Sequence, residues 1–399
     1  MLRKGLYLIG FSLWLVVFGQ VCLGQNKRPA DFWTKPLASL PQKPGYVPGS
    51  FRFELYLKAL RNKRVGLVVN HTSRYQGVHL VDTLRAAGIQ IVRIFSPEHG
   101  FRGTAANGEK VASGTDAQTG IPIVSLYGKN KRPEPAQLQD LDVLLFDLQD
   151  VGARFYTYIS TMKEVMEACA SQGLRLYIGD RFNPLGFCSA GPILQPGFES
   201  FVGAFPIPVV HGLTVGELAQ MAVDQGWIKG GKKLKLKVLP CLGYNHSDTL
   251  FPAVPPSPNL PTPLSVWAYP SLCLFEGTPW SVGRGTPLPF QVFGFPDSAC
   301  GPFSFRPGRT DSNQVKPLFH GQTCFGFKLG PDSIRSCFSL HFLHLAYARH
   351  PQKAGFFNPF FRKLAGSDEV SKSVEAGREW AGDLSAWNKL RRRYLRYPE

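Results

Sequence analysis

The 399-residue chain has no Cys-x-x-Cys pair and no cysteine–histidine spacing of a zinc site, which argues against the common metal-binding frameworks. It has no Gly-x-Ser-x-Gly elbow. The nearest runs, such as Pro270-Ser271-Leu272, lack the flanking glycines, so Ser-His-Asp hydrolysis is a poor fit. No glycine-rich phosphate turn follows the first predicted strand, where Leu67-Val68-Val69 runs directly into Asn70-His71. That disfavours a nucleotide- or dinucleotide-dependent enzyme. There is no internal repeat and no low-complexity tract. The long apolar run near the start, residues 6–18, is too short for a comfortable membrane span. Arg3 and Lys4 precede it and small residues around Cys22 and Gly24 follow, the layout of a cleaved secretory signal peptide over residues 1–25. An uncleaved anchor helix is the lesser alternative. Val21 stands where a lipid-transfer site ahead of Cys22 would want a small residue. The expected location is therefore secreted or periplasmic, with no stable membrane span after processing.

What is abundant is positive charge. Loss of Arg3 and Lys4 with the leader leaves 43 basic against 28 acidic residues, a mature net charge of +15. This suits work beside an anionic polymer or membrane surface. The bases are scattered, so nucleic acid is not the expected partner. The densest runs, at residues 232–237 and 391–396, read as solvated faces of a strand or helix. Eight cysteines fall to seven on processing, an odd number that argues against a disulfide framework in a chain long enough to bury its own core. Buried free thiols are expected, with room for one or two bridges.

From about residue 64 to 241 short apolar strands alternate with helices. Strands are predicted at 65–69, 89–95, 123–126, 143–146 and 174–178, and helices at 80–85, 158–170 and 215–223. This pattern implies a Rossmann-like open parallel sheet covered on both faces, here assigned to residues 26–241. Residues 252–263 carry proline at six positions and read as an extended crossover. The remainder, 242–399, reads as a smaller α+β domain with helices at 339–349 and 383–397. His341 and His344, spaced as HxxH, fall on the first of these and fit a packed face better than zinc.

Open parallel sheets bind ligands beyond the carboxyl ends of their strands. Those ends here are Asn70-His71-Thr72-Ser73, Ser96-Pro97-Glu98-His99-Gly100, Tyr127-Gly128, Asp147-Leu148-Gln149-Asp150 and Asp180-Arg181. One strand-end Asp is often only a helix cap. Five polar strand ends in succession point to a functional rim. Glu98 is the leading catalytic candidate: Pro97 fixes the backbone before it, and apolar surroundings at a strand end raise a carboxyl pKa, as a general acid in glycoside cleavage requires. His99 either bonds Glu98 or substrate, or is satisfied by backbone. Asp147 and Asp150 divide acid and base roles, or Asp147 caps the helix that begins near Arg154; too few further ligands accompany them for a metal. Arg154 and Arg181 suit planar paired contacts to a carboxylate such as the lactyl group of N-acetylmuramic acid, or form structural ties to Asp150 or Asp180. Glu276-Gly277-Thr278 and Gly283-Arg284-Gly285-Thr286 form a glycine-bracketed loop able to close over a sugar, with Glu276 or Arg284 inward, or are simply turns. Asn259 sits in the stiff Pro258-Asn259-Leu260-Pro261 segment and suits a substrate amide contact, or a purely local one.

Several of these stretches together resemble the exo-β-N-acetylmuramidases of the NamZ type. They are Ser96-Pro97-Glu98-His99-Gly100-Phe101-Arg102-Gly103, the run from Phe146-Asp147 to Thr157-Tyr158, Asp180-Arg181-x-Asn183-Pro184-Leu185, Pro208-Val209-Val210-His211-Gly212-Leu213-Thr214, Pro256 to Thr262, and Phe275-Glu276-Gly277-Thr278 with Gly283-Arg284-Gly285-Thr286. The resemblance covers nearly the whole mature chain. It implies a Rossmann-like catalytic domain, a smaller C-terminal domain completing a cleft, and release of terminal N-acetylmuramic acid from the non-reducing end of peptidoglycan fragments without a redox cofactor. The family's catalytic glutamate maps onto Glu98, with Glu276 and Asp150 as candidate partners. Asn70, His99, Tyr127, Asp147, Arg154, Arg181, His211, Asn259 and Arg284 are the expected substrate contacts. Phe182, where the family usually has proline, and residues 187–190 depart from the pattern. A non-catalytic envelope module that holds muropeptides is the competing reading.

Overall fold

The computed structural model describes residues 28–98, 100–102, 113–308, 316–334 and 336–399; the expected leader and His99 lie outside these. Alternation within the apolar runs decides the architecture. In β5 (Val143–Asp147), Leu144 and Phe146 point to one core while Val143 and Leu145 point to another. The neighbouring β1 (Val65–Val69) is divided the same way and buried along its full length. Strands buried on both faces are those of a parallel sheet sandwiched between helices. The seven-stranded sheet adds β2 (Ile91–Ser96), β3 (Gly114–Thr115), β4 (Pro122–Ser125), β6 (Arg175–Gly179) and, beyond a two-stranded hairpin of β7 (Ala190–Ile193) and β8 (Pro208–Val210), β9 (Lys235–Leu239). Their order is β9-β6-β5-β1-β2-β4-β3, parallel throughout except for the edge pair β3–β4. Growth of the sheet reverses between β1 and β5, so the expected Rossmann-like topology is present. On the edge strand β9, Lys235 and Lys237 are solvated as expected, which also blunts edge pairing.

Helix α1 (Leu80–Ala86) covers one face and α2 (Tyr158–Gln172) and α3 (Val215–Asp224) the other. The predicted apolar stripe of α2, Ile159, Met162, Val165, Met166 and Cys169, is buried, and the helix stops at Gly173 in the left-handed region. Thr214 and Glu217 form a capping box that starts α3.

The proline-rich crossover leads to α4 (Pro263–Leu272), opened by a Thr262–Ser265 capping box and buried at all ten positions. A helix apolar on every side belongs in a core, and α4 occupies the seam between the two halves. The second half holds an antiparallel sheet of β10 (Val292–Phe295), β11 (Phe303–Phe305) and β12 (Cys324–Lys328), ordered β10-β12-β11. Around it lie α5 (His341–Arg349), α6 (Pro359–Ala365), α7 (Glu369–Glu375) and α8 (Ser385–Arg392), the smaller α+β unit expected. The last helix is shorter than the 383–397 stretch predicted. Nor is residue 391 on a solvated face: buried Arg391 donates to the carbonyls of Gly212 (2.8 Å) and Gly186 (2.9 Å) in the first half. Among the described residues no helix is long and apolar enough to cross a membrane.

Further ties join the halves. Cys188 and Cys337 form a disulfide, and the other five described cysteines are buried thiols. Tyr397 donates to Asp180 Oδ2 (2.6 Å). Arg154 is fully buried with no carboxylate partner among the described residues. It donates instead to the carbonyls of Pro192 and Ile207 on the β7–β8 hairpin (2.7 and 3.0 Å) and to those of Leu364 and Ala365 at the end of α6 (2.9 and 2.8 Å). Burial without a counter-ion pulls the Arg154 pKa down to about 9, which leaves it charged at neutral pH.

Two stability predictions follow from these ties. Arg154→Met removes the side-chain donors of four buried carbonyls, of which that of Ile207 keeps the Leu194 amide (3.1 Å), and should cost about 3 kcal/mol or more in denaturant unfolding, since each orphaned group costs roughly 1–3 kcal/mol; a change under about 1 kcal/mol would refute the clamp. Replacing both Cys188 and Cys337 by serine should cost about 2–5 kcal/mol, because the bridge closes a long loop in the unfolded chain. A reductant should destabilise the parent and leave the double variant unmoved.

Candidate active site

Glu98 leaves β2 immediately after Pro97, and Gly100 turns the chain with φ 74° while its amide donates to the Pro97 carbonyl (3.2 Å). The Glu98 carboxyl is half-buried over the carboxyl end of the sheet. Tyr127, just beyond β4, donates its hydroxyl to it, and Thr157, at the start of α2, donates Oγ1 to Oε2 at 3.3 Å. Burial raises the Glu98 pKa above the ordinary glutamate value. The Tyr127 bond, the Arg284 charge and the Thr157 bond pull the other way, and nearby Glu276 adds to the rise. The Tyr127 phenol is itself pushed up to about 12 by burial and by Glu98, so it stays a donor.

The opposite wall comes from the second half. Glu276 lies in a 3-10 turn, Cys273–Gly277, directly after α4. Arg284 donates to its Oε1 and stacks over Phe290 with the guanidinium carbon 5.1 Å from the ring centre. Gly283, at φ 74°, makes the turn that presents Arg284. Gly277 is required by close approach: a Cβ there would stand 2.3 Å from the Phe361 backbone of α6. Between the walls lies a cavity of about 500 Å³, lined by Glu98, Tyr127, Thr157, Glu276 and Arg284 among others.

The polar rim read from sequence is split in two. Glu98, Tyr127, Glu276 and Arg284 meet in the cavity. The ends of β1, β5 and β6 turn inward. Asp147 and Arg181 form a buried bidentate pair (2.6 and 2.9 Å), so Arg181 is a structural tie, to Asp147 rather than to Asp180. Asp150 is buried, accepts from the Gly152 amide (2.7 Å), lies 3.6 Å from buried His211, and does not reach the cavity. Asn70 is buried beneath the site: its Nδ2 donates to the Tyr158 hydroxyl (2.7 Å), and that hydroxyl reaches the Glu98 carbonyl (3.4 Å). Arg154 is consumed by carbonyls, and Asn259 flanks the cavity without lining it, although its neighbours Ser257 and Leu260 do. These groups fail to face ligand for a common reason: polar side chains at central strand ends are desolvated by α2, the crossover and the tail, and they pair with one another. Sequence reasoning missed Thr157, Lys131, Phe201, Phe360 and Lys363, all in the cavity wall. Only Thr157 stood in a stretch already singled out; the rest carry no motif. Among the described residues, no group of three or more His, Cys, Asp or Glu is placed to hold a metal ion.

Comparison with known proteins agrees with this architecture. Residues 65–264 match the N-terminal domain of exo-β-N-acetylmuramidase NamZ and residues 267–397 its C-terminal domain. The peptidoglycan β-N-acetylmuramidase NamZ of Bacillus subtilis (strain 168) is 36% identical over 377 residues, 86% of this chain and 89% of that one. Two crystal structures of DUF1343-family proteins from Bacteroides fragilis NCTC 9343 share the fold. One has 38% identity and a TM-score of 0.81, over 89% of this chain and 99% of its own. The other has 27% identity and a TM-score of 0.77, over 89% and 100%. With a parallel sheet, a second lobe and a two-carboxyl cavity between them, the chain is a glycoside hydrolase and belongs to the NamZ family of exo-β-N-acetylmuramidases.

Proposed function

We propose that the chain cleaves terminal N-acetylmuramic acid from the non-reducing end of peptidoglycan fragments, with Glu98 as general acid and Glu276 as the second carboxyl group. The observation that carries this reading is the contrast between the two. Glu98 is held by burial toward its protonated form beside two hydroxyl donors, whereas Glu276 is ion-paired with Arg284 across the same cavity. Environments that separate two carboxyl groups in this way assign acid and base or nucleophile roles. In the reaction Glu98 gives its proton to the glycosidic oxygen as the bond to the anomeric carbon breaks. Water supplies the hydroxyl that replaces the leaving sugar, and its other proton restores the acid. We place this work outside the cytoplasm, after removal of residues 1–25. The leader-like start supports that placement, as does a disulfide between Cys188 and Cys337, a bond that persists in oxidising compartments.

The role of Glu98 is testable through the leaving group. A sugar alkoxide needs protonation to depart, whereas 4-nitrophenolate leaves readily without it. Glu98→Gln should therefore lose about 10²–10⁴-fold in kcat/KM on N-acetylmuramyl-N-acetylglucosamine and much less on 4-nitrophenyl β-N-acetylmuraminide. Glu276→Gln should lose heavily on both. Equal losses for Glu98→Gln would remove it as the acid.

The pH profile gives a second check. Activity needs protonated Glu98, so kcat/KM falls as pH rises through its raised pKa. Tyr127 donates to the carboxylate form and lowers that pKa. Tyr127→Phe should thus move the alkaline limb to higher pH, and a shift to lower pH would contradict the assignment.

A further inference from the structure

The substrate proposed above differs from its glucosamine analogue by one feature, a lactyl ether whose carboxylate is anionic at neutral pH. Some cation in the cavity must meet it, or the desolvated anion would oppose binding. The arginines expected for this task are unavailable. Arg154 is spent on four carbonyls, Arg181 on Asp147, and Arg284 on Glu276. Two cations remain in the cavity wall, Lys131 and Lys363, and neither has a carboxylate partner among the described residues.

Their settings suit a ligand anion. Lys131 is half-buried, with its ammonium 4.3 Å from the centre of the Phe201 ring. An aromatic face holds a cation in place without neutralising it. Lys363 lies on α6 three residues after Phe360, so the two side chains share a helix face, and both line the cavity. Phe360 is 39% exposed, an apolar ring left at the rim where a sugar face can stack. The Arg154 clamp on the Leu364 and Ala365 carbonyls fixes that end of α6, and with it the position of Lys363. Close beside Lys131 and Phe201, the Ser200 Oγ is buried in the wall without a hydrogen-bond partner.

We infer that Lys131 and Lys363 together form the subsite for the lactyl carboxylate and so determine preference for the muramic over the glucosamine sugar. This rests on the functional reading above and adds the residues that read the acid. Both lysines are specificity determinants; neither touches the reacting bond.

The experiment compares 4-nitrophenyl β-N-acetylmuraminide with its lactyl methyl ester, which keeps the shape and removes the charge. The parent enzyme should favour the acid by about tenfold or more in kcat/KM, expressed mainly in KM, as expected for a hydrogen bond to a charged group. Lys131→Met and Lys363→Met should each reduce that preference, the double variant should bring it close to one, and Lys363→Arg should restore most of it. A parent enzyme indifferent to esterification, or variants that lose equally on acid and ester, would overturn the assignment. If the parent hydrolyses neither compound, the proposed cleavage of terminal N-acetylmuramic acid fails instead. Calorimetric titration with N-acetylmuramic acid and its methyl ester, in parent and double variant, then decides the lysine subsite without turnover: a charge-dependent difference lost in the variant supports it, and no difference refutes it.

Discussion

A guanidinium buried without an anion is costly, and Arg154 is tolerated because four carbonyls from two lobes converge on it. Two of those carbonyls end α6, whose last turn lacks intrahelical donors for them. Gly366 follows in the left-handed region, where a Cβ would stand 2.6 Å from Arg154 Nη2. The clamp therefore specifies its neighbour. It also sets the cavity, because α6 carries Phe360 and Lys363, abuts Gly277 beside Glu276, and is locked to the hairpin whose connecting loop carries Ser200 and Phe201. The charge that the sequence presents as a ligand for substrate instead bonds to carbonyls of both lobes.

A similar division of labour runs along the sheet. At the carboxyl ends of β1, β5 and β6 the polar side chains satisfy one another. Asp147 holds Arg181, and Asp180 accepts from Thr214 and Tyr397. Burial, with Glu217 nearby, pushes the Asp180 pKa up to about 6. Only the ends of β2 and β4, on one side of the switch point between β1 and β5, send Glu98 and Tyr127 into the cavity. Asn70 connects the two regions through the Tyr158 hydroxyl, which touches the Glu98 backbone. The inward network is thus the floor beneath Glu98, rather than a second group of cavity-facing side chains.

Much of this was legible in the sequence. Apolar pentads such as 65–69 can only be buried on both faces, so the parallel sheet followed, and Pro97 and Gly100 marked the loop at Glu98 as constrained. The paired glycines around Glu276 and Arg284 marked a second constrained loop, and the two loops do face one cavity. What strand-end position cannot encode is direction. Arg154 and Arg181 sit at the same kind of place as Glu98, and only helix packing and the returning C-terminal tail decide which side chains are sealed. Lys131 and Lys363 were invisible for the complementary reason: they meet in one cavity wall although 232 residues (363 − 131) separate them in the chain, which no local pattern records. Residues 187–190, which depart from the family pattern, contain Cys188, half of the bridge between lobes.

A dinucleotide-type sheet serves glycoside chemistry here by a displacement of the site. Phosphate-binding versions use backbone amides at the first strand–helix turn, within one lobe. Here that turn, Asn70 to Ser73, is folded against the sheet, with Ser73 Oγ donating to the Asp147 carbonyl (2.5 Å), and the cavity-lining Glu98 follows the next strand out. The two carboxyl groups then come from different lobes, so their separation is a property of the interface and not of a single element. Cleavage is sensitive to that separation, since a shift of an ångström or so changes whether water or substrate fits between them. Lobes free to hinge would lose this geometry. The buried seam helix α4, the Arg154 clamp, the Tyr397–Asp180 bond and the Cys188–Cys337 bridge all join the two lobes. Contacts between the lobes thus bear directly on how Glu98 and Glu276 face one another across the cavity.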